Sequence, residues 1–180
     1  MIWFTSQRER RLWLCVLAVI VAIFATLGLA RTLAQLLAGT GLGEILFAGA
    51  CLLVLTVVVT RGWTSRPRTI EIVVAIGVAT AYLLVLVRMA VPTERSHLIE
   101  YGILALLIDE ALLERRRNGT RVPFPGAFAI MVAALIGVID EAIQAVWPGR
   151  FCDPVDMLFN TLAAVMAVAS IRLLAWARGT

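Results

Sequence analysis

The chain has 180 residues, of which 61% are hydrophobic and only 16% are charged, and its formal net charge is +4. This composition leaves too little polar chain for a separate soluble domain. The positive charge lies beside long apolar blocks, which indicates contact with membrane lipids and excludes nucleic acid as a partner. These blocks are about twenty residues long, the length that an α-helix needs to cross roughly 30 Å of hydrocarbon.

Six apolar blocks follow one another along the chain. The predicted spans are Leu12 to Leu29, Gly43 to Thr60, Ile70 to Val91, Ser96 to Leu113, Phe124 to Trp147 and Pro154 to Trp176. They lack the alternating apolar and polar residues of barrel strands, and lipid offers a bare backbone no hydrogen-bond partner, so helices must form them. The sequence therefore predicts an all-α polytopic membrane bundle of about six transmembrane helices, in one domain over residues 1–180.

The distribution of arginine predicts the orientation of the bundle. All sixteen positively charged side chains are arginines, and an N-terminus in the cytoplasm places twelve of them in inner segments and three in outer loops. Because positive residues concentrate on the cytoplasmic side, we expect a multi-pass protein of the cytoplasmic membrane with both termini in the cytoplasm. Two acidic residues near the inner end, Asp109 and Glu110, are expected to pair with these arginines.

Polar side chains gather at the outer ends of the fifth and sixth spans. Asp140, Glu141 and Gln144 occupy the last turns of the fifth span, and Asp156 and Asn160 occupy the first turns of the sixth. At about 1.5 Å of rise per residue, the two groups reach a similar depth on adjacent antiparallel helices, so they can touch. Asp140 and Glu141 lie about 100° apart on their helix, so at least one of them must face into the bundle.

The fourth span brings further polar residues to the same end. His97 is the only histidine, and Glu100 and Tyr101 follow it at positions i+3 and i+4, on one side of the helix. Arg88 lies near the outer end of the third span, and Arg150 lies in the turn between the fifth and sixth. Charged groups in a bilayer usually face a polar cavity and pair with one another. We therefore expect an outward-facing polar pocket, with a purely structural polar network as the alternative.

The segments HLIEYGILAL and DEAIQAVWPGRFCDPVDMLFNTLAA resemble the VanZ-like family of small bacterial membrane proteins. That family has a His and a Tyr opening one helix, Asp-Glu with a Gln on the next, a Pro-Gly-Arg-type turn, and an Asp and an Asn opening the last helix. These positions are filled here by His97, Tyr101, Asp140, Glu141, Gln144, Arg150, Asp156 and Asn160. The resemblance covers a core of about residues 88–168 and leaves two additional N-terminal spans, about residues 12–60, outside it. Ala163 and Ala167 stand where the family tends to have glycines.

The resemblance implies a bacterial inner-membrane protein that acts at or near the outer leaflet, in a family named for a protein associated with teicoplanin resistance in the cell envelope. The first hypothesis is that the pocket binds or modifies an envelope lipid or a lipid-linked glycan. His97 with Asp140 or Glu141 would serve as catalytic acid and base, and Arg88 and Arg150 would hold a phosphate. The other candidate ligand-binding residues are Glu100, Tyr101, Gln144, Asp156 and Asn160. Nothing in the pocket is an evident nucleophile, so enzyme status stays open.

Three alternatives use the same residues differently. The carboxylates with His97 could hold a divalent cation, although a single His offers no recognised ligand spacing; the sequence assigns no metal ligand and leaves the cofactor unknown. The chain could be a non-enzymatic accessory subunit of a larger membrane complex, because small residues in GAFAIMVAALIG and AAVMAVAS permit close helix packing. It could be a small transporter, because LLIDEALLERR and VIDEAIQAVWPGR share Ile-Asp-Glu-Ala on helices of opposite direction.

Overall fold

The computed structural model describes residues 4–37, 45, 67–88, 92–146 and 154–179, and it is all-α within these ranges. The helices of the described ranges are α1 Gln7–Leu37, α2 Thr69–Arg88, α3 Pro92–Arg117, α4 Pro125–Val146 and α5 Pro154–Arg178. The all-α prediction is confirmed. The second predicted span lies outside the described residues apart from Ile45, so the count of six spans, the single domain and the location of the termini stay predictions.

The helix ends follow from local sequence. Proline is the first residue of α3, α4 and α5, a position where its missing N–H costs no intrahelical hydrogen bond. The end of α3 is closed by Gly119, whose φ of 88° suits glycine. Its N–H donates to Arg116 O at 3.1 Å, and the Thr120 N–H donates to Arg115 O at 3.3 Å. This pair of bonds is the Schellman pattern, and it fixes where the chain leaves the helix.

The bundle is organised around α3, which packs against α1, α4 and α5, while α5 also packs against α2 and α4. Small residues allow these close approaches. On α4, buried Ala129, Ala133 and Gly137 recur every four residues and form one stripe. A Cβ atom added at Gly137 would lie 2.9 Å from the Asn160 Cβ, so α4 and α5 are in close contact there. Two turns further along α5, Ala167 packs against Gly102 of α3.

Three helices, α2, α4 and α5, are long and apolar enough to cross a membrane. The apolar window of α2 has no residue buried by the described part of the chain, and Leu84 and Val87 are 66% and 76% exposed. Continuous apolar surface of this kind is suited to contact with lipid or with another apolar helix. The chain is therefore a membrane protein. The predicted spans within α1 and α3 do not meet the same criterion over the described residues and stay predictions.

Candidate functional site

Several of the predicted site residues meet where the first turns of α3, the last turns of α4 and the first turns of α5 come together. The small-residue stripe of α4 ends here, and the positions that continue it are the buried Asp140, Glu141 and Gln144. We name the group the polar cluster. Its members are His97, Tyr101, Asp140, Glu141, Gln144, Asp156 and Asn160.

Asp140 is the centre of a buried hydrogen-bond network. The Tyr101 hydroxyl donates to Asp140 Oδ2 at 2.9 Å, and Gln144 Nε2 donates to the same oxygen at 3.2 Å. The amide of Gln144 also lies 3.4 Å from Glu141 Oε1, so one side chain connects the two neighbouring carboxylates. Tyr101, Asp140 and Glu141 are 0% exposed. The network joins α3 to α4 and fixes the direction of the Asp140 carboxylate.

A second group joins all three helices. His97 of α3, Glu141 of α4 and Asp156 of α5 each offer one nitrogen or oxygen atom, and these atoms lie within 4.8 Å of one another. The His97 ring is stacked on the Tyr101 ring, with 5.9 Å between centroids and 12° between planes. Of the His, Cys, Asp and Glu side chains in the described part of the chain, these three lie close enough together to hold one metal ion. The sequence placed them in one pocket but assigned none as a metal ligand.

Asn160 lies one turn after Asp156 on α5, against Gly137 of α4. Its side chain is 0% exposed, and neither Oδ1 nor Nδ2 has a hydrogen-bond partner among the described residues. The buried His97 Nδ1 atom also has no partner within the described part of the chain. A buried polar group left without a partner costs about 1 to 3 kcal/mol, and such groups are commonly satisfied by water, an ion or a ligand.

The remaining candidate site residues contribute less to the described geometry. Glu100 is half-buried on α3. Arg88 is the last residue of α2, and its side chain lies outside the described part of the structure, as does the whole of Arg150. The proposed phosphate contacts of these two arginines therefore stay predictions. So do the catalytic and ligand-binding roles of every residue in the polar cluster.

The opposite end of the bundle contains ion pairs between helices. Arg172 Nη2 of α5 lies 2.7 Å and 2.9 Å from the two carboxylate oxygens of Asp109 on α3, and the Asp109 side chain is only 3% exposed. Arg8 of α1 pairs with both Glu110 and Glu114 of α3, at 3.2 Å and 3.4 Å. The predicted pairing of Asp109 and Glu110 with arginines at this end is present. We name this region the arginine-rich end.

Glu9 is a structural residue to which sequence reasoning gave no role. The Ser6 hydroxyl accepts a hydrogen bond from the Glu9 N–H at 3.0 Å, while Glu9 Oε2 accepts bonds from the Thr5 N–H and hydroxyl at 2.6 Å and 2.7 Å. Burial alone would raise the pKa of Glu9, but the Thr5 hydrogen bonds and the nearby Arg115 charge lower it below its ordinary value. Ser6-Gln7-Arg8-Glu9 fits the capping-box pattern, the signal that marks this helix start in the sequence.

A cavity of about 1010 Å³ lies at the arginine-rich end, away from the polar cluster. The cavity is lined mostly by apolar atoms of the loop after α3, the start of α4 and the second half of α5. Its charged lining residues are Arg116, Arg121 and Arg172. A cavity of this volume is large enough for a small-molecule ligand. The polar cluster is the better candidate for chemistry because it gathers buried and half-buried ionisable groups from three helices.

The comparisons with known proteins agree with the resemblance. The family model described as VanZ/LLP1 matches residues 2–175. The match spans nearly the whole chain and extends beyond residues 88–168, where the motif residues lie. No curated protein and no solved structure matches the chain.

Proposed function

Because the chain belongs to the VanZ/LLP1 family and is a membrane protein, we propose that its polar cluster binds the headgroup of an envelope lipid or a lipid-linked glycan. The site faces the outer leaflet of a bacterial inner membrane. The observation that carries the proposal is the convergence of a half-buried imidazole from α3, buried carboxylates from α4 and buried amides from α4 and α5. Resistance to teicoplanin-type glycopeptides is the phenotype that such headgroup binding would affect.

The chemistry of the polar cluster suits a polyhydroxylated or phosphorylated headgroup. Carboxylates accept hydrogen bonds from sugar hydroxyls, and the Asn160 amide can both donate and accept. Arg88 and Arg150 would supply the planar guanidinium groups that bind phosphate. The lipid tail would lie along apolar surface such as that of α2, whose exposed leucines and valines face outward. A headgroup site and a tail surface therefore occur in one small bundle.

Binding is a firmer proposal than catalysis. His97 with Asp140 or Glu141 could act as acid and base, but none of the seven described members of the polar cluster is a Ser, Thr or Cys that could serve as a nucleophile. Asp140 already accepts hydrogen bonds from Tyr101 and Gln144, which suits a carboxylate that positions other groups. The proposed activity is therefore recognition of the headgroup.

The binding experiment uses the full chain in nanodiscs and a polyprenyl pyrophosphate-linked disaccharide as the probe, with binding measured by native mass spectrometry. Asp140→Asn should weaken binding about tenfold or more, because it removes the charge that Tyr101 and Gln144 hold in place; tenfold corresponds to about 1.4 kcal/mol. The matched control is Glu110→Gln at the arginine-rich end, which should bind as the wild type does. Equal binding by Asp140→Asn and wild type would contradict the proposal.

The outward orientation has its own test. Asn118 lies exposed beyond the end of α3, at the arginine-rich end. A single cysteine introduced by Asn118→Cys, with Cys15, Cys51 and Cys152 replaced by serine, should resist a membrane-impermeant maleimide added to intact spheroplasts. It should react once the membrane is permeabilised. Labelling in intact spheroplasts would place the polar cluster on the cytoplasmic side.

An accessory-subunit role is the second candidate, and the observation that favours it is α2. Its apolar window has no residue buried by the described part of the chain, which leaves a helix surface for another membrane protein as well as for lipid. Purification from its native membrane in mild detergent would decide between the two. A partner present at a fixed ratio, and lost on Leu84→Trp, would favour the subunit role.

A further inference from the structure

We propose that His97, Glu141 and Asp156 form a binding site for one divalent transition-metal ion, Zn²⁺ or Mn²⁺. The inference rests on the proposed function in one respect: the ion would contribute to holding the headgroup that the polar cluster binds. It assigns different tasks to two adjacent carboxylates, with Glu141 as a metal ligand and Asp140 as a residue that orients its neighbours.

The geometry requires only a small closure around an ion. The three potential ligand atoms come from α3, α4 and α5 and lie within 4.8 Å of one another. Nitrogen and oxygen ligands surround Zn²⁺ tetrahedrally at about 2.1 Å, so two ligands of one ion lie about 3.4 Å apart. The separations within the group must therefore shrink by up to about 1.4 Å, which changes in the side-chain torsions of Glu141 and Asp156 can supply.

Neighbouring side chains hold two of the three ligands in place. The Tyr101 ring lies parallel to the His97 imidazole, and the Gln144 amide donates toward Glu141 Oε1 at 3.4 Å. Tyr101 and Gln144 are themselves tied together by their shared acceptor, Asp140 Oδ2. Metal-ligating histidines and carboxylates are typically oriented by such an outer set of partners. The Asp140 network therefore has a task beyond joining α3 to α4.

Asn160 provides an independent observation that points to a ligand. It follows Asp156 by four residues on α5, and it packs against Gly137, which precedes Glu141 by four residues on α4. Because residues four apart share one face of a helix, the Asn160 amide lies one turn below the Glu141 and Asp156 ligands. The amide is fully buried and its oxygen and nitrogen have no hydrogen-bond partner within the described ranges. A water bound to the ion, or the ion itself, would satisfy the Asn160 oxygen.

The ligand types select the class of ion. Ca²⁺ and Mg²⁺ prefer sites made entirely of oxygen, whereas an imidazole with carboxylates suits Zn²⁺ or Mn²⁺. Three protein ligands leave at least one coordination position open. A phosphate or hydroxyl oxygen of the headgroup would occupy it.

The experiment uses the full chain in nanodiscs, stripped with a chelator and titrated with Zn²⁺, with Mn²⁺ and with Co²⁺ as a spectroscopic substitute. We expect one ion per chain and a visible absorption band on adding Co²⁺. His97→Ala and Glu141→Gln should each weaken Zn²⁺ affinity at least tenfold, and Glu110→Gln should leave it unchanged. A site with a micromolar Kd would be nearly full at a free Zn²⁺ concentration about 100 times that Kd. If the wild-type protein binds less than about 0.2 ion per chain at that concentration, the proposal is overturned. Unchanged affinity in both cluster variants would overturn it as well.

The metal site and the headgroup site can fail separately. If the stripped wild type takes up no ion while Asp140→Asn still weakens binding of the lipid-linked disaccharide, the metal proposal is wrong and the proposed function stands. If the ion binds at His97 and Glu141 but neither the stripped nor the loaded chain binds the disaccharide, the proposed function is wrong and the metal site stands. An increase in the wild-type melting temperature on adding Zn²⁺, absent in His97→Ala, would support the site in intact folded protein.

Discussion

The two ends of the bundle use buried carboxylates in different ways. At the arginine-rich end, Asp109 is paired with Arg172, and Glu114 is paired with Arg8. In the polar cluster, the described donors to Asp140 are Tyr101 and Gln144, which carry no charge. An arginine partner neutralises a carboxylate and ties two helices together, whereas the hydroxyl and amide donors described at Asp140 orient its carboxylate. The comparison separates a structural end of the molecule from a candidate binding site.

The largest effect on stability is expected at the arginine-rich end. Arg172→Ala should lower the free energy of unfolding by about 3 to 5 kcal/mol, because it leaves the Asp109 charge buried without its partner. The control is Arg178→Ala. In the wild type, Arg178 is 62% exposed and lies 3.5 Å from Glu71, so its removal should change the free energy of unfolding by less than about 1 kcal/mol. Denaturant titration in detergent measures both. Equal losses would remove the distinction between buried and exposed pairs.

The contact between α4 and α5 should be the next most sensitive position. Gly137→Ala places a Cβ atom 2.9 Å from the Asn160 Cβ, so the helices must separate, at a cost of roughly 2 kcal/mol. Gly77→Ala is the matched control, because a Cβ at Gly77 meets nothing within 4 Å and alanine favours the helix. Thermal melting in the same detergent should give a lower midpoint for Gly137→Ala only. A melting midpoint of Gly137→Ala at or above that of wild type would contradict a close contact between α4 and α5 at Gly137.

A smaller loss is expected within the polar cluster. Tyr101→Phe keeps the ring that stacks on His97 and removes the hydroxyl that donates to Asp140 at 2.9 Å. We expect a loss of about 1 kcal/mol in unfolding free energy, with a larger proportional loss in headgroup binding. The two readouts are a denaturant titration and the nanodisc binding measurement. Unchanged binding in a destabilised Tyr101→Phe protein would indicate that the Asp140 network only joins helices.

The smallest effect concerns pH at the arginine-rich end. The pKa of Glu114 is lowered, mainly because the Ser6 hydroxyl donates a hydrogen bond to its carboxylate. This effect outweighs that of burial, which would raise the pKa, and contacts with Asn118, Arg8 and Arg117 lower the pKa further. The Glu9 pKa is also lowered. The ionised glutamates therefore stabilise the fold above the ordinary value of 4.5, and this contribution is lost as the pH falls through the lowered pKa values. Melting temperature should fall less steeply below pH 4.5 in Glu9→Gln than in wild type. An identical pH profile would contradict this linkage.

Hydropathy and helical periodicity were sufficient to predict the all-α class and the group of polar residues at one end. They indicated that Asp140 or Glu141 must face the bundle, and in the structure both are 0% exposed. The two can be buried despite their angular separation because α4 packs against both α3 and α5, so Asp140 meets Tyr101 and Glu141 comes near Asp156. The packing of the bundle decides which helix lies against each side of α4. The periodicity of the α4 sequence carries no information about these neighbours.

Other features depended on contacts that are distant in sequence. The bond between Asp109 and Arg172 joins residues on α3 and α5, and hydropathy alone showed Arg172 only as an inner arginine. The grouping of His97, Glu141 and Asp156 likewise has no recognised ligand spacing, because each ligand comes from a separate helix. By contrast, Glu9 could have been found from the sequence, since the capping box at Ser6 is a local pattern.

The central claim is that the polar cluster is a binding site, and Glu141→Gln tests it most directly when ligand binding and unfolding are measured on the same preparation. The substitution keeps the size of the side chain and removes its charge. We predict that binding of the lipid-linked disaccharide falls at least tenfold while the free energy of unfolding stays within about 1 kcal/mol of wild type. Unchanged binding, or a loss of stability of about 3 to 5 kcal/mol like that expected for Arg172→Ala, would show instead that the cluster serves to lock the helices together.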